Sequence, residues 1–177
     1  MAATVYIYEY YGAGPSTQNV TSVNTRFMTS DGYSASDTTY PLVKPEPAGT
    51  NYSYWKHFAL YANTSPSGTI NNVKWYTDGT ISWTGITVKA GTVATYDQAT
   101  GTQGTTGDEA NSGHSQTPTM TTATTYTSAS PLSVTGSISN PSTGIITNYV
   151  VLQAWVADTA VAGTVATETV TWRYDET

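Results

Sequence analysis

Cysteine is absent from the 177 residues, which excludes disulfide scaffolds and thiolate metal sites and leaves the redox compartment open. Charge is scarce as well: Asp, Glu, Lys and Arg make up 10% of the chain, against roughly 25% in ordinary globular proteins. With few leucines besides, long amphipathic helices, coiled coils and charged solvating tails are excluded. Six Lys and Arg stand scattered against twelve Asp and Glu, a net charge of −6. Neutralising phosphates needs clustered cations, so no nucleic-acid partner is expected. No run approaches the roughly 18 apolar residues of a membrane span, and no membrane partner is expected. Met1 to Glu9 contains neither the basic segment nor the apolar stretch of a secretion signal, so Sec export is not expected.

Hydroxyls and aromatic rings fill the space that charge leaves. The chain holds 36 Thr and 17 Ser, together with fourteen Tyr and five Trp. Twelve per cent aromatics with abundant Val and Ile supply apolar area to bury, which excludes disorder. Period-two alternation places Val5 and Ile7 on one face of an N-terminal strand and Tyr6, Tyr8 and Tyr10 on the other. A second strand is expected within 19–29, an extended connector at Pro41–Pro47, and a central strand covered on both sides at 52–61. Asp78-Gly79 between strand-like runs 70–76 and 81–88 predicts a hairpin. The parity change near Gly85 predicts a β-bulge there. Further strands are expected at 92–96, 119–127 and 131–138, then a buried one at 149–156 and a half-exposed one at 164–174. Residues 97–118 lose all periodicity and read as one long loop. The expected architecture is a single all-β domain over 1–177, an antiparallel β-sandwich of about 8–10 strands with jelly-roll or Ig-like connectivity.

Catalytic constellations are thin. A Ser or Thr nucleophile needs a base, and the two histidines offer little: His57 lies mid-strand among aromatics and is expected to be a core or subsurface residue. The acids fall in turns and loops, with only Glu9 and Glu168 inside expected strands, so paired carboxylates facing a cleft are not expected. The long loop brings Asp97, Asp108, Glu109 and His114 together as weak cation candidates, but the spacing of a calcium loop is missing, and neither metal nor cofactor is expected. Rings on strands can stack sugars; Tyr54, Trp75, Tyr76 and Trp83 are candidates, although a sandwich poor in leucine needs most of its tryptophans for the core. Tyr6, Tyr8, Tyr10 and Tyr11, in residues 1–12, form the best surface candidate. Tyr is enriched where proteins meet, so this strand is a possible interface.

Three segments carry a resemblance: Tyr54-Trp-Lys-His-Phe-Ala-Leu-Tyr61, Ile70-Asn-Asn-Val-Lys-Trp-Tyr-Thr-Asp-Gly79, and an ending of Tyr149-Val-Val-Leu-Gln-Ala-Trp-Val156 followed by Thr-Val-Thr-Trp-Arg-Tyr-Asp-Glu176. Together they resemble small β-sandwich virion proteins of tailed bacterial or archaeal viruses, capsid-decorating or accessory in role. The resemblance implies a non-enzymatic structural protein, made in the host cytoplasm and exposed on the particle. It also implies contact with other virion proteins, capsid or tail, and homo-oligomerisation. It transfers no binding residue, because such proteins act through whole surfaces. Two other classes fit the same composition. A carbohydrate-binding or adhesin-like module would use exposed Tyr and Trp on a glycan, and a filament or surface-layer subunit would add an unpaired N-terminal strand to a neighbouring copy.

Overall fold

The computed structural model describes residues 2–35, 40–100 and 119–177, and they are 42% strand and 2% helical. In chain order the strands are β1 (Val5–Tyr11), β2 (Ser16–Asn19), β3 (Thr50–Tyr52), β4 (Lys56–Ala62), β5 (Thr69–Thr77), β6 (Ile86–Val93), β7 (Thr121–Thr122), β8 (Leu132–Ser133), β9 (Ile138–Ser139), β10 (Gly144–Ile145), β11 (Tyr149–Ala157) and β12 (Val170–Glu176). All pairings are antiparallel. The larger sheet runs β2-β1-β4-β11-β6-β7, with β10 added to β4 and β3 to β11; the smaller runs β12-β5-β8, with β9 also on β5. The expected all-β sandwich is what forms.

Alternation decides what lies between the sheets. Phe58, Leu60 and Ala62 of β4, Val88 and Ala90 of β6 and Val150 and Leu152 of β11 face Ile70, Val73 and Trp75 of β5, and Trp172 and Tyr174 close the side. Ile70 and Val73 can share a face only if one residue is inserted between them. Asn72 is that residue: its φ is +50°, and the β5–β12 register slips between Arg173 and Asp175. The bulge therefore sits in β5, not at Gly85 as the pattern suggested. Ile81 and Trp83 lie in a loop before β6, so their parity carried no strand information. Gly85 turns that loop at φ +69°, where a Cβ would stand 2.3 Å from the Ala160 amide nitrogen.

The expected Asp78-Gly79 hairpin does not form, because β5 and β6 belong to different sheets. The turn itself is real. Gly79 has φ +95°, the Thr80 amide donates to Asp78 Oδ1 at 2.8 Å, and the Gly79 amide to Thr77 Oγ1 at 3.1 Å. Positive φ is a local demand that glycine meets, whereas pairing is settled by β12 and β8, which occupy both edges of β5.

A second apolar cluster covers the opposite face of the larger sheet: Tyr10, Trp55, Ala59, Val93, Ala99, Tyr149 and Val151. Strand β4 is thus buried on both faces, as its composition implied. Other expected strands shrink. Of 19–29 only Asn19 is in a strand, of 119–127 only β7, of 131–138 β8 and the first residue of β9; 92–93 end β6, and 164–169 are irregular before β12.

Candidate functional site

The N-terminal tyrosine row is divided by depth. In the β1–β4 register Tyr6 opposes Tyr61, Tyr8 opposes Ala59 and Tyr10 opposes His57. Ala59 is the reason the rings approach one another, since its small side chain leaves room for Tyr8 to lean on Tyr61 with centroids 5.1 Å apart; Tyr6 meets Tyr8 at 6.3 Å. These three rings are half-buried. Tyr10 is not on the surface: it is 5% exposed and packs edge-on against Tyr149 at 5.0 Å, beside Tyr96. Tyr11 points to the other face and is half-buried.

Beside the strip, on the same face of the larger sheet, lies a buried aromatic base. His57, 1% exposed, lies 4.8 Å from the Tyr96 ring and 6.0 Å from Tyr149, with Trp55 on its other side, in keeping with its expected subsurface place. Burial pushes the Tyr10, Tyr96 and Tyr149 hydroxyls above the ordinary tyrosine value, so they stay neutral. The Tyr96 hydroxyl donates to the Gly12 carbonyl at 2.8 Å, tying the β1–β2 turn to this base. Sequence periodicity identified Tyr6 and Tyr8 but missed Tyr61, Tyr96 and Tyr149, whose rings arrive from separate strands and loops.

Strand β1 does not have a free edge. Tyr8–Tyr11 pair with β2, Val5–Tyr10 pair with β4, and the Val20 amide donates to the Ile7 carbonyl. The unpaired N-terminal strand expected for a filament or surface-layer subunit is not what forms: β1 is paired on both sides. Residues 1–12 can serve as an interface only through their ring-bearing face.

The parity that sends the tyrosines outward sends Glu9 inward, where it is fully buried. Lys56 Nζ donates to Glu9 Oε1 at 2.6 Å and to the Gly32 carbonyl, and Thr25 Oγ1 donates to Glu9 Oε2. Both charged side chains are at most 3% exposed. The pair ties β1 and β4 to the irregular segment 20–35, whose Asp31 accepts the Gly12 amide at 2.8 Å. Burial raises the Glu9 carboxyl above its usual value, with Lys56 and Thr25 opposing and Asp31 adding to the rise. A raised folded-state value contributes stability below the unfolded Glu value of about 4.3 and loses it as pH climbs through the folded one. Wild type is therefore expected to lose stability relative to Glu9→Gln as pH rises above the unfolded value. Urea midpoints of both proteins from that value upward check this, and a wild-type advantage growing with pH would contradict it. Glu176 behaves in the opposite sense, held below its usual value by amides of Ser67 and Ala3, so acid weakens that tie.

The sugar-stacking candidates do not share a surface. Trp75 is 1% exposed between the sheets, Tyr76 lies on the outer face of the smaller sheet, and Tyr54 lies over the larger one. Trp83 sits in the loop after Gly79, donating Nε1–H to the Ala166 carbonyl at 2.8 Å and meeting Phe27 edge-on. Of the cation candidates, Asp97 is half-buried, while Asp108, Glu109 and His114 lie outside the described residues, as do 101–118 of the expected loop. Among the described residues no three His, Asp or Glu side chains gather to hold a metal. Glu168 lies outside any strand, and its carboxylate accepts the Ser82 amide at 3.2 Å.

No known protein-family model, curated protein or solved structure matches the chain.

Proposed function

We propose that the chain is a virion structural protein, a capsid decoration or cement protein that binds the particle surface through protein contacts and oligomerises. The observation that carries this reading is the Tyr6–Tyr8–Tyr61 strip, three half-exposed rings joined through Tyr8 on the outer face of the larger sheet, with Tyr8 packed against the buried cluster that holds Tyr10 and Tyr149. Rings held in place before binding lose little conformational freedom when covered, which is why Tyr serves well as an anchor between proteins. The outward residues of β12, Thr171, Arg173 and Asp175, support the reading as well, giving a hydrated face with only two charges. In this reading the protein catalyses nothing, needs no cofactor, and sits on the outside of the particle.

Glycan binding is the second reading, and the ring geometry weighs against it. A sugar stacks on a ring's flat face, whereas Tyr6 and Tyr8 stand at 80° and Tyr8 and Tyr61 at 77°. Such a corrugated strip fits side chains between its ridges. Purified protein is expected to co-sediment saturably with capsids that lack it and to give no hits on a glycan array. Failure to bind any particle, with a glycan hit in its place, would move the protein to the second class.

A further inference from the structure

The smaller sheet ends in a seven-residue edge strand with one side open among the described residues. Strand β12, Val170-Thr-Trp-Arg-Tyr-Asp-Glu176, pairs with β5 on one side, and no described residue pairs with its other side. It contains no Pro or Lys, and its three charged residues, Arg173, Asp175 and Glu176, are of both signs. The other strands that end the two sheet paths are shorter, four residues in β2 and two each in β7 and β8.

Backbone direction along β12 follows from its far end. Thr177 and Thr69 exchange both amide-to-carbonyl bonds, at 3.0 and 2.7 Å. In an antiparallel ladder such pairs recur at every second residue, so odd-numbered residues turn their amides toward β5 and residues 170, 172, 174 and 176 present theirs to the open edge. The bulge leaves this phase intact, because its extra residue is in β5.

We propose that β12 pairs antiparallel with β12 of a second copy, about a twofold axis through Tyr174, joining the two smaller sheets into one. A twofold perpendicular to the sheet keeps inner faces inner, so only residues of equal parity can oppose each other. Among these registers, centring on Arg173 sets that arginine against its own copy. Centring on Tyr174 sets Arg173 against Asp175 twice, in the non-hydrogen-bonded positions where side chains stand closest, and lets Tyr174 and its copy exchange backbone bonds. Arg173 is in neither of the two ion pairs found among the described residues. Asp175 accepts from Asn72 Nδ2 at 2.7 Å and has lone pairs left for a guanidinium. The inference rests on the oligomeric part of the function proposed above and supplies its interface.

The test is a charge swap in the full chain, read by analytical ultracentrifugation with thermal melts to confirm folding. Arg173→Asp and Asp175→Arg are each expected to weaken the dimer by at least about tenfold, since each sets like charges opposite at two places, and the double variant to restore it. Because the chain has no cysteine, Tyr174→Cys places one thiol per copy at the axis, where opposed Cα atoms about 5.5 Å apart suit a disulfide. Oxidation is expected to give a covalent dimer with Tyr174→Cys and none with Val170→Cys. A wild type that stays monomeric, a double variant no better than the singles, or equal cross-linking at 170 and 174 would overturn the proposal. A monomer that still coats particles would overturn this interface alone, whereas a swap-sensitive dimer that binds no particle would leave the interface and remove the virion role.

Discussion

Lys56→Met is expected to cost about 3–5 kcal/mol of unfolding free energy, the range for removing one partner of a buried ion pair. The side chain it removes is 3% exposed and reaches both Glu9 and the Gly32 carbonyl. Met fills nearly the same volume, so the loss comes from the stranded Glu9 carboxylate, left with the Thr25 hydroxyl, and not from a cavity. That carboxyl then takes up a proton more readily, so the deficit should be larger at pH 8 than at pH 5. Combining Glu9→Leu with Lys56→Met removes both charges, and most of the lost stability should return, because well-packed apolar replacements of buried pairs are often neutral or better. Urea unfolding of the three variants measures this. A double variant as unstable as the single one would mean that the pair specifies the packing of segment 20–35 and is not merely tolerated there.

Trp75→Ala should be comparably severe, about 3–5 kcal/mol for emptying a buried aromatic site. Trp75 is 1% exposed at the middle of β5, opposite Trp172 of β12 and Leu132 of β8, with Tyr126 edge-on at 6.1 Å. It bridges the smaller sheet to the larger across the shared core, and strands as short as β8 have little else to hold them. The variant should lower the urea midpoint strongly. Trp83→Ala, which removes a half-buried indole from a loop, should lower it far less. Equal effects would contradict the assignment of Trp75 to the core and Trp83 to the periphery.

The comparison of these tryptophans shows how far the sequence reaches. Strand β11 was legible throughout, because nine nearly continuous apolar residues have no other home than a central strand. The alternation of Val5 and Ile7 against Tyr6, Tyr8 and Tyr10 in β1 was legible too, but the full burial of Glu9 on the inward face was not. What escaped were facts fixed at a distance. Asp78-Gly79 specifies a turn but not which strands flank it. Trp75 and Trp83 look alike in sequence, and only the sheet assignments of β5 and the following loop separate them. Lys56 carried a signal in its parity with Phe58 and Leu60, for a lysine on the apolar face of a strand needs a buried partner. The partner, Glu9, lies 47 residues away and is chosen by the β1–β4 pairing. The aromatic base beside the strip was invisible for the same reason, since Tyr10, Tyr96 and Tyr149 meet only once β1, β11 and residues after β6 have come together.

The central claim is that the protein works through the ridge formed by Tyr6, Tyr8 and Tyr61. Its most direct test is a binding isotherm on capsids lacking the protein, comparing wild type with Tyr6→Ser/Tyr8→Ser/Tyr61→Ser at equal folded fraction. If the strip is the anchor, the triple variant keeps a cooperative unfolding transition close to wild type and loses at least about a hundredfold in affinity, since three interface tyrosines at roughly 1–2 kcal/mol each amount to that or more. Unchanged affinity in a folded triple variant would contradict the claim and move the binding surface elsewhere on the molecule.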